Sequence, residues 1–236
     1  MTHIHTRRSW DSRMHPAQLG ERLVELGVDL AVVSDHNSFD GAIEFAGHCR
    51  DRGLSITVPV AAEVRTDRGD ALVVFEPDST PPSIDRLLSW EAMVDEVHAA
   101  GGLVGLPHPF RSHRGVEELA RQVDLIEVFN ARCTAEQDAR SVALAETVSA
   151  ARSYGVDAHW ARELDRVVVE YERRATVIET LLQDARCHHP TRSPKSDWMA
   201  AEVINGIKRR RPLVTGYFVA QYARSRLVES VGRGRP

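Results

Sequence analysis

The sequence predicts an α/β fold: a mainly parallel sheet or barrel with helices packed around it. Short apolar runs alternate with stretches of helical periodicity along most of the chain. The runs end in polar clusters: Thr2-His3-Ile4-His5-Thr6, Ser34-Asp35-His36-Asn37, Glu63, Pro107-His108-Pro109 and Asp157-Ala158-His159. Barrels carry their sites at the C-terminal ends of strands, so this regular placement says more than any single motif. No GxGxxG follows the first strand and no GxxxxGK[ST] occurs, which disfavours the nucleotide-binding folds built on those loops.

Taken in order, residues 1–6 offer the end of a strand. Side chains at i and i+2 share a strand face, so His3 and His5 can reach one metal ion. Residues 7–14 are a polar loop. Pro16 suits the first turn of a helix whose apolar face is Leu19, Leu23, Val24 and Leu26, with Gly27 at its end. Asp29–Ser34 reads as a buried strand. A helix is expected over roughly 40–52, with Ile43 and Phe45 on its apolar side, then a strand over Leu54–Val60 leading to Glu63. Ala71–Phe75 is a further strand. Ile84–Ala100 reads as a helix, Leu103–Leu106 as a strand, about 115–122 as a short helix and Leu125–Asn130 as a strand. Residues 134–150 are helical. Ser153–Val156 is a weak strand, Val167–Val169 another, and Ala175–Arg186 a last helix.

The chain has 236 residues and 42% hydrophobic composition, enough for one sizeable core. A net charge of −4 argues against general nucleic-acid binding. Cys49, Cys133 and Cys187 lie far apart and suggest neither a disulfide framework nor a zinc ribbon. No run approaches the length of a membrane span and no apolar leader is seen, so a soluble cytoplasmic protein with no membrane partner is expected.

After residue 187 the character changes. Residues 1–186 read as the barrel domain and 187–236 as a C-terminal extension, helical and packed on the barrel or on a second subunit, where it can support a homo-oligomer. Lys208-Arg209-Arg210-Arg211-Pro212 and Arg233-Gly234-Arg235-Pro236 are basic. An anion or nucleic-acid contact is one reading of these runs, and a solvated helix end is the plainer one. His48 and His98 fall within helices and read as structural; His15, His188 and His189 read as surface residues.

His3-Ile4-His5-Thr6 with Ser9-Trp10-Asp11, Ser34-Asp35-His36-Asn37, Ala62-Glu63-Val64, His108-Pro109-Phe110, Ile126-Glu127-Val128-Phe129-Asn130 and Gly155-Val156-Asp157-Ala158-His159 follow one another in that order. Over about residues 2–185 the sequence resembles the PHP family, named for polymerase and histidinol phosphatase. The resemblance implies a distorted (β/α)7 TIM-like barrel, with the C-terminal helical extension added, and two or three divalent metal ions (Zn, Mn or Fe) at the strand ends. It implies His3 and His5 as ligands of a first metal, Glu63 as the bridging carboxylate and His108 on the second metal. Asp157 would join the first metal, with His159, Asp11 and His36 on a third. Asp35 would orient a histidine from behind, so Glu63, His159 and Asp35 are the expected catalytic group. The chain departs from the family pattern in three places. Almost nothing precedes the first histidine pair. Asp70 stands where the family often has a ligand histidine, and is taken as a ligand in its place. Val156 replaces a small residue before the closing Asp.

Carboxylates and imidazoles without sulfur suit zinc, manganese or iron(II). Water held between two such cations becomes a nucleophile near neutral pH, and the cations offset charge on a phosphoryl oxygen. The expected activity is hydrolysis of a small phosphorylated metabolite or a nucleotide phosphate. Amide or lactone hydrolysis at the same centre is the alternative, and a non-catalytic PHP-like binding module a third reading. Arg7, Arg8, Arg65, Arg111 and Arg132 follow strand ends, and a guanidinium matches phosphate geometry. Arg111 is the first candidate for substrate binding, then Arg132 and Arg65. His113 is a candidate partner for the leaving group, against an ordinary loop histidine.

Overall fold

The computed structural model describes residues 1–183 and 185–233. Six strands form one curled sheet in the order β1-β6-β5-β4-β3-β2, where β1 is Thr2–Ile4, β2 Val60–Arg65, β3 Asp70–Phe75, β4 Leu103–Leu106, β5 Leu125–Asn130 and β6 Ala151–Ala158. The segment 30–36 links the two edges. It bridges to β1 at Ile4–Val33 and to the β2 side at Leu30–Thr57 and His36–Glu63, all parallel. Ser34 N donates to the Ile4 carbonyl at 2.8 Å, and Glu63 N to the Asp35 carbonyl at 3.1 Å. The result is the distorted, seven-staved barrel implied by the resemblance, with one stave held by isolated bridges. The apolar run at 29–34 supplies that stave, so it is extended but not a regular strand. The strand expected over 54–60 is likewise irregular until Val60, and Glu63 lies inside β2 rather than beyond it.

One strand runs against the others. β3 is antiparallel to both β2 and β4, while β4, β5, β6 and β1 are mutually parallel. Residues 66–69 are too few for a parallel crossover and must reverse the chain. Gly69, at φ +139°, takes backbone that side chains rarely adopt. The reversal puts the first residue of β3, Asp70, opposite Arg65 at the end of β2. Every other cluster residue reaches the same rim from a strand's C-terminal end.

The helices are α1 Pro16–Glu25, α2 Asp40–Arg52, α3 Trp90–Ala99, the one-turn α4 Pro109–Ser112 and α5 Val116–Leu119, α6 Ala135–Ala145, and the short α7 Val177–Leu181. The single helix expected over 84–100 is split. Ile84–Leu87 is a 3-10 turn, and Ser89 takes extended backbone (φ −88°, ψ 134°) before α3 begins. In α2, Phe45 is buried but Ile43 is 51% exposed, so Ala42 and Cys49 complete the inner face. Val167–Val169 is not a barrel stave: β7, Val168–Glu170, pairs antiparallel with β8, Arg186–His188, in a separate sheet. The helix expected to run to Arg186 ends at Leu181, and Asp184 lies outside the described residues. The weak strand at 153–156 is the middle of β6, which pairs on both sides, with β1 and β5.

The extension is two helices, α8 Lys195–Lys208 and α9 Pro212–Arg233. They approach so closely that a Cβ on Gly206 would lie 2.4 Å from Thr215 Oγ1 and 3.0 Å from its backbone nitrogen. Gly234, Arg235 and Pro236 of the final basic run lie outside the described residues. Among the described residues no helix is long and apolar enough to cross a membrane.

Candidate metal centre

The histidine pair does not sit on a plain pleat. His3 has φ +66°, and the β1–β6 ladder shifts register between Thr2 and Ile4. Asp157 (φ +47°) and His108 (φ +30°) are also left-handed, a conformation costly for a non-glycine residue. Three of the site's residues thus hold strained backbone, and each aims its side chain at the barrel mouth. The rings of His3 and His5 are 5.1 Å apart.

Three groups of donor atoms lie close enough for each to hold a metal ion: His3, His5 and Asp157; His3, Glu63 and His108; and His5, Asp11, His36 and His159. Glu63 joins them. Its Oε2 is 3.5 Å from His3 Nε2, 3.4 Å from His5 Nε2 and 2.9 Å from His36 Nδ1, and its Oε1 is 3.0 Å from His108 Nε2. Asp157 Oδ1 is 3.8 Å from His3 Nε2 and 3.5 Å from His5 Nε2. Asp11 Oδ2 lies 3.2 Å from His36 Nε2 and 3.0 Å from His159 Nε2. Asp70 stays outside all three groups. Its carboxylate is taken by Arg65, through Nε and through Nη2 at 3.1 Å, because the β2–β3 hairpin sets the two residues opposite each other.

Three of the imidazoles are held from behind. His3 Nδ1 lies 2.9 Å from Glu127 Oε1, and a carboxylate accepts only, so Nδ1 is the donor there and Nε2 faces the centre. His159 Nδ1 donates to the Asp157 carbonyl at 2.9 Å with the same result. His5 Nδ1 meets Ser9 Oγ at 3.1 Å. Asp35 does not touch a histidine directly, as had been expected. It accepts from Thr6 N (2.7 Å), Thr6 Oγ1 (2.6 Å), Ser9 N (3.0 Å) and Ser9 Oγ (2.6 Å), and so reaches His5 only through Ser9. Close approach makes room for these carboxylates. A Cβ on Gly41 would lie 1.6 Å from Asp35 Oδ2, and one on Gly155 1.6 Å from Glu127 Oε1. The small residue thus stands one place earlier than the resemblance implied, and Val156 is buried in the core.

Glu127 and Asn130 had no expected role. Glu127 also accepts from His108 N at 2.7 Å and Asn130 Nδ2 at 2.8 Å. The signal was a carboxylate inside the apolar run Leu125–Phe129, since a buried charge demands partners.

The charges balance within the cluster. Burial disfavours ionised Glu63, Asp157 and Asp11, yet neighbouring imidazoles, with Arg111 at Asp157, hold all three well below the usual carboxylate range. Burial opposes a charged His3 and His36, but the carboxylates around them raise both. His5 is pushed down to about 3 by burial and by His159 and His36, and is a neutral imidazole ready to ligate.

A cavity of about 230 Å³ opens over the centre. Arg111, Arg132 and Arg65 all line it, but each is engaged. Arg111 Nη1 donates to Asp157 Oδ2 at 2.7 Å. Arg132 Nη2 donates to both oxygens of the buried Glu163 at 3.0 and 2.9 Å, and Glu163 in turn accepts from His159 N at 2.8 Å. Arg132 therefore braces the loop that carries His159. Arg7 and Arg8 pair outward with Glu44. His113 Nε2 is spent on the Asp70 carbonyl at 2.6 Å.

The roof comes from α8, part of the extension expected to pack on the barrel or on a second subunit, though no cavity-lining role was expected for Trp198, Glu202 or Asn205. Trp198, Glu202, Asn205 and Arg209 line the cavity. Lys208 Nζ donates to the carbonyls of Arg7 (2.9 Å), Ser9 (2.6 Å) and Ser12 (2.6 Å), tying α8 to the loop of Asp11.

The buried residues fit a metal cluster on their own terms. His3 Nε2, His5 Nε2, Glu63 Oε2, Asp11 Oδ1 and His108 Nδ1 are buried without a hydrogen-bond partner, as lone pairs reserved for cations would be. Residues 2–88 match the family model of the PHP domain. Over that stretch the chain is similar to the PHP domain. An uncharacterized protein of Methanocaldococcus jannaschii is 29% identical over 129 residues, 50% of this chain and 52% of that relative, so about half the relative's length is spanned. A two-domain protein of Bacteroides vulgatus containing a predicted PHP-like metal-dependent phosphoesterase is similar in structure, with a TM-score of 0.62 at 15% identity over 79% of this chain and 63% of that one. An amidohydrolase of Chromobacterium violaceum, solved with bound sulfate, gives 0.55 at 16% identity over 67% and 86%. At such identities the likeness to these structures is one of fold, and the donors are read from this chain's own geometry.

Proposed function

We propose that this protein is a metal-dependent hydrolase of the PHP kind, and specifically a phosphoesterase acting on a small phosphorylated metabolite or a nucleotide phosphate. The observation that carries the reading is the convergence of unpartnered buried lone pairs on His3, His5 and Glu63 beneath a cavity rimmed by arginine. His3, His5, Glu63, His108 and Asp157 would hold two divalent cations, and Asp11, His36 and His159, with His5, a third. The donor set suits zinc, manganese or iron. Bound cations lower the pKa of water and offset charge building on a phosphoryl oxygen.

The chain's own residues prepare that chemistry. Glu127, Ser9 and the Asp157 carbonyl fix the tautomers of His3, His5 and His159. Asp35 acts as a positioning residue, locking Thr6 and Ser9 around the histidine pair. Arg111 lines the cavity and has N–H groups beyond the one given to Asp157, so it can fork onto phosphoryl oxygens. Such a fork favours a phosphoester over the amide or lactone that the amidohydrolase likeness keeps as the second reading.

The test is metal content per chain, on protein purified without chelator, paired with hydrolysis of an aryl phosphate. Two or three equivalents with turnover, both lost in Glu63→Ala, is the expected result. Metal without turnover of any phosphoester would move the assignment to amides or lactones. Well under one equivalent, unresponsive to added manganese, would leave a binding module.

A further inference from the structure

Resting on the phosphoesterase reading, we infer that α8 selects the substrate by its non-reacting end, and that this end is a small hydroxylated carbon skeleton rather than a nucleobase. Asn205 carries the argument. Its Nδ2 donates to Glu202 Oε2 at 3.0 Å, and because a carboxylate can only accept, this contact fixes which way the amide faces. Its Oδ1 is then left buried, without a hydrogen-bond partner, in a residue that lines the cavity. Beside it Glu202 supplies more acceptor capacity. A substrate hydroxyl is the donor these two side chains lack.

The lining offers a base little free aromatic surface. Trp10 is the tryptophan next to the donors, and its ring is already engaged. His36 stacks on one at 4.3 Å with the planes 7° apart, and the Arg209 guanidinium lies over the ring at 5.0 Å. Trp198, the other tryptophan of the lining, is 6.4 Å from Phe218 in an edge-on arrangement. The volume agrees. About 230 Å³ lies below the span of drug-sized pockets. It fits a phosphate with a few carbons and hydroxyls. The roof is also built in place: besides Lys208, Arg162 grips Asp197 at the start of α8 with bonds of 3.0 and 2.6 Å.

The experiment compares sn-glycerol 3-phosphate, propyl phosphate and AMP on the metal-loaded full chain. Glycerol 3-phosphate and propyl phosphate differ only in hydroxyl groups. We expect kcat/KM for glycerol 3-phosphate to exceed that for propyl phosphate by about tenfold or more, as a site built to bond a hydroxyl rejects its deoxy analogue. Asn205→Leu should bring the ratio close to one. A ratio near one in the unaltered protein overturns the inference without any variant, and so does AMP as the best substrate. If none of the three esters turns over, the phosphoesterase reading fails separately, and calorimetric binding of the same compounds decides the roof. Preferential binding of glycerol 3-phosphate, lost in Asn205→Leu, upholds it. Equal binding, or none, overturns it.

Discussion

The floor and the roof of this cavity are built on different terms. On the floor, His3, His5, Glu63, His108, Asp157 and His159 are almost wholly buried, at 0–4% exposure, and each has one or more partners fixed by the barrel. In the roof, Trp198 is 37% exposed and α8 is tied to the domain by a few long side chains. The difference separates two tasks. Donor atoms for a cation must converge to within tenths of an ångström, so the floor spends strained backbone and buried charge to hold them. Choosing a substrate needs only a complementary surface, which a helix laid across the mouth can supply and which can change without rebuilding the barrel.

The largest expected effect lies at the floor's deepest contact. Glu127→Leu removes the acceptor behind His3 and the anchor for His108 N. Loss of such an outer partner costs roughly 10–100-fold in metal affinity. Competition against a graded chelator series should show that weakening, with the extent of folding by circular dichroism unchanged. Unaltered affinity would mean that the floor's rigidity does not pass through Glu127, and the contrast with the roof would lose its clearest support.

A stability experiment sharpens the same point. Asp35→Asn keeps the shape but replaces one acceptor by a donor, facing either the Thr6 or the Ser9 donors. A buried group left facing a like partner costs about 1–3 kcal/mol, read as a lower urea midpoint at unchanged slope. Gly41→Ala should be at least as damaging, because its Cβ would overlap Asp35 Oδ2. If both variants unfold like the parent, Asp35 is not what locks the loop around His5.

The floor was legible in the sequence and the roof was not, for a physical reason. Metal donors are rare residue types fixed at strand ends, so His3, His5, Glu63, His108 and Asp157 stand out against apolar runs. Asp70 shows the limit of that reading. A carboxylate at the family's ligand position was counted as a donor, but hairpin pairing gave it to Arg65, a relation that depends on which strand is reversed. Arg132 was likewise read as a free cation on the rim when its partner, Glu163, lies in a turn that no local pattern ties to it. Glu127 carried a signal, a charge in an apolar strand, without saying whom it served. Asn205 carried none, and Arg209 stood in a basic run whose plainer reading was a solvated helix end: polar residues on or beside an amphipathic helix look alike whether they meet solvent or substrate. The close packing of Gly206 on Thr215, the reach of Lys208 and the grip of Arg162 on Asp197 are among the contacts that decide where that helix lies.

The smallest effect expected is at Lys208, and it tests whether the roof is a separable part. Lys208→Met keeps the aliphatic stem and removes three charge-assisted bonds to the carbonyls of Arg7, Ser9 and Ser12. Lys208 is an exposed residue, so stability should fall by no more than about 1 kcal/mol. Those carbonyls belong to the loop that carries Asp11, but the donors of the other two groups, on His3, His5, Glu63, His108 and Asp157, do not touch α8 through this residue. Metal content should therefore stay at or near the parent value, while KM for a preferred phosphoester rises several-fold and kcat changes less. A parallel loss of metal would show that α8 helps to hold the third group of donors, and that floor and roof are one cooperative unit. An unchanged KM would show that Arg162 and the packing on α9 suffice to keep α8 over the mouth.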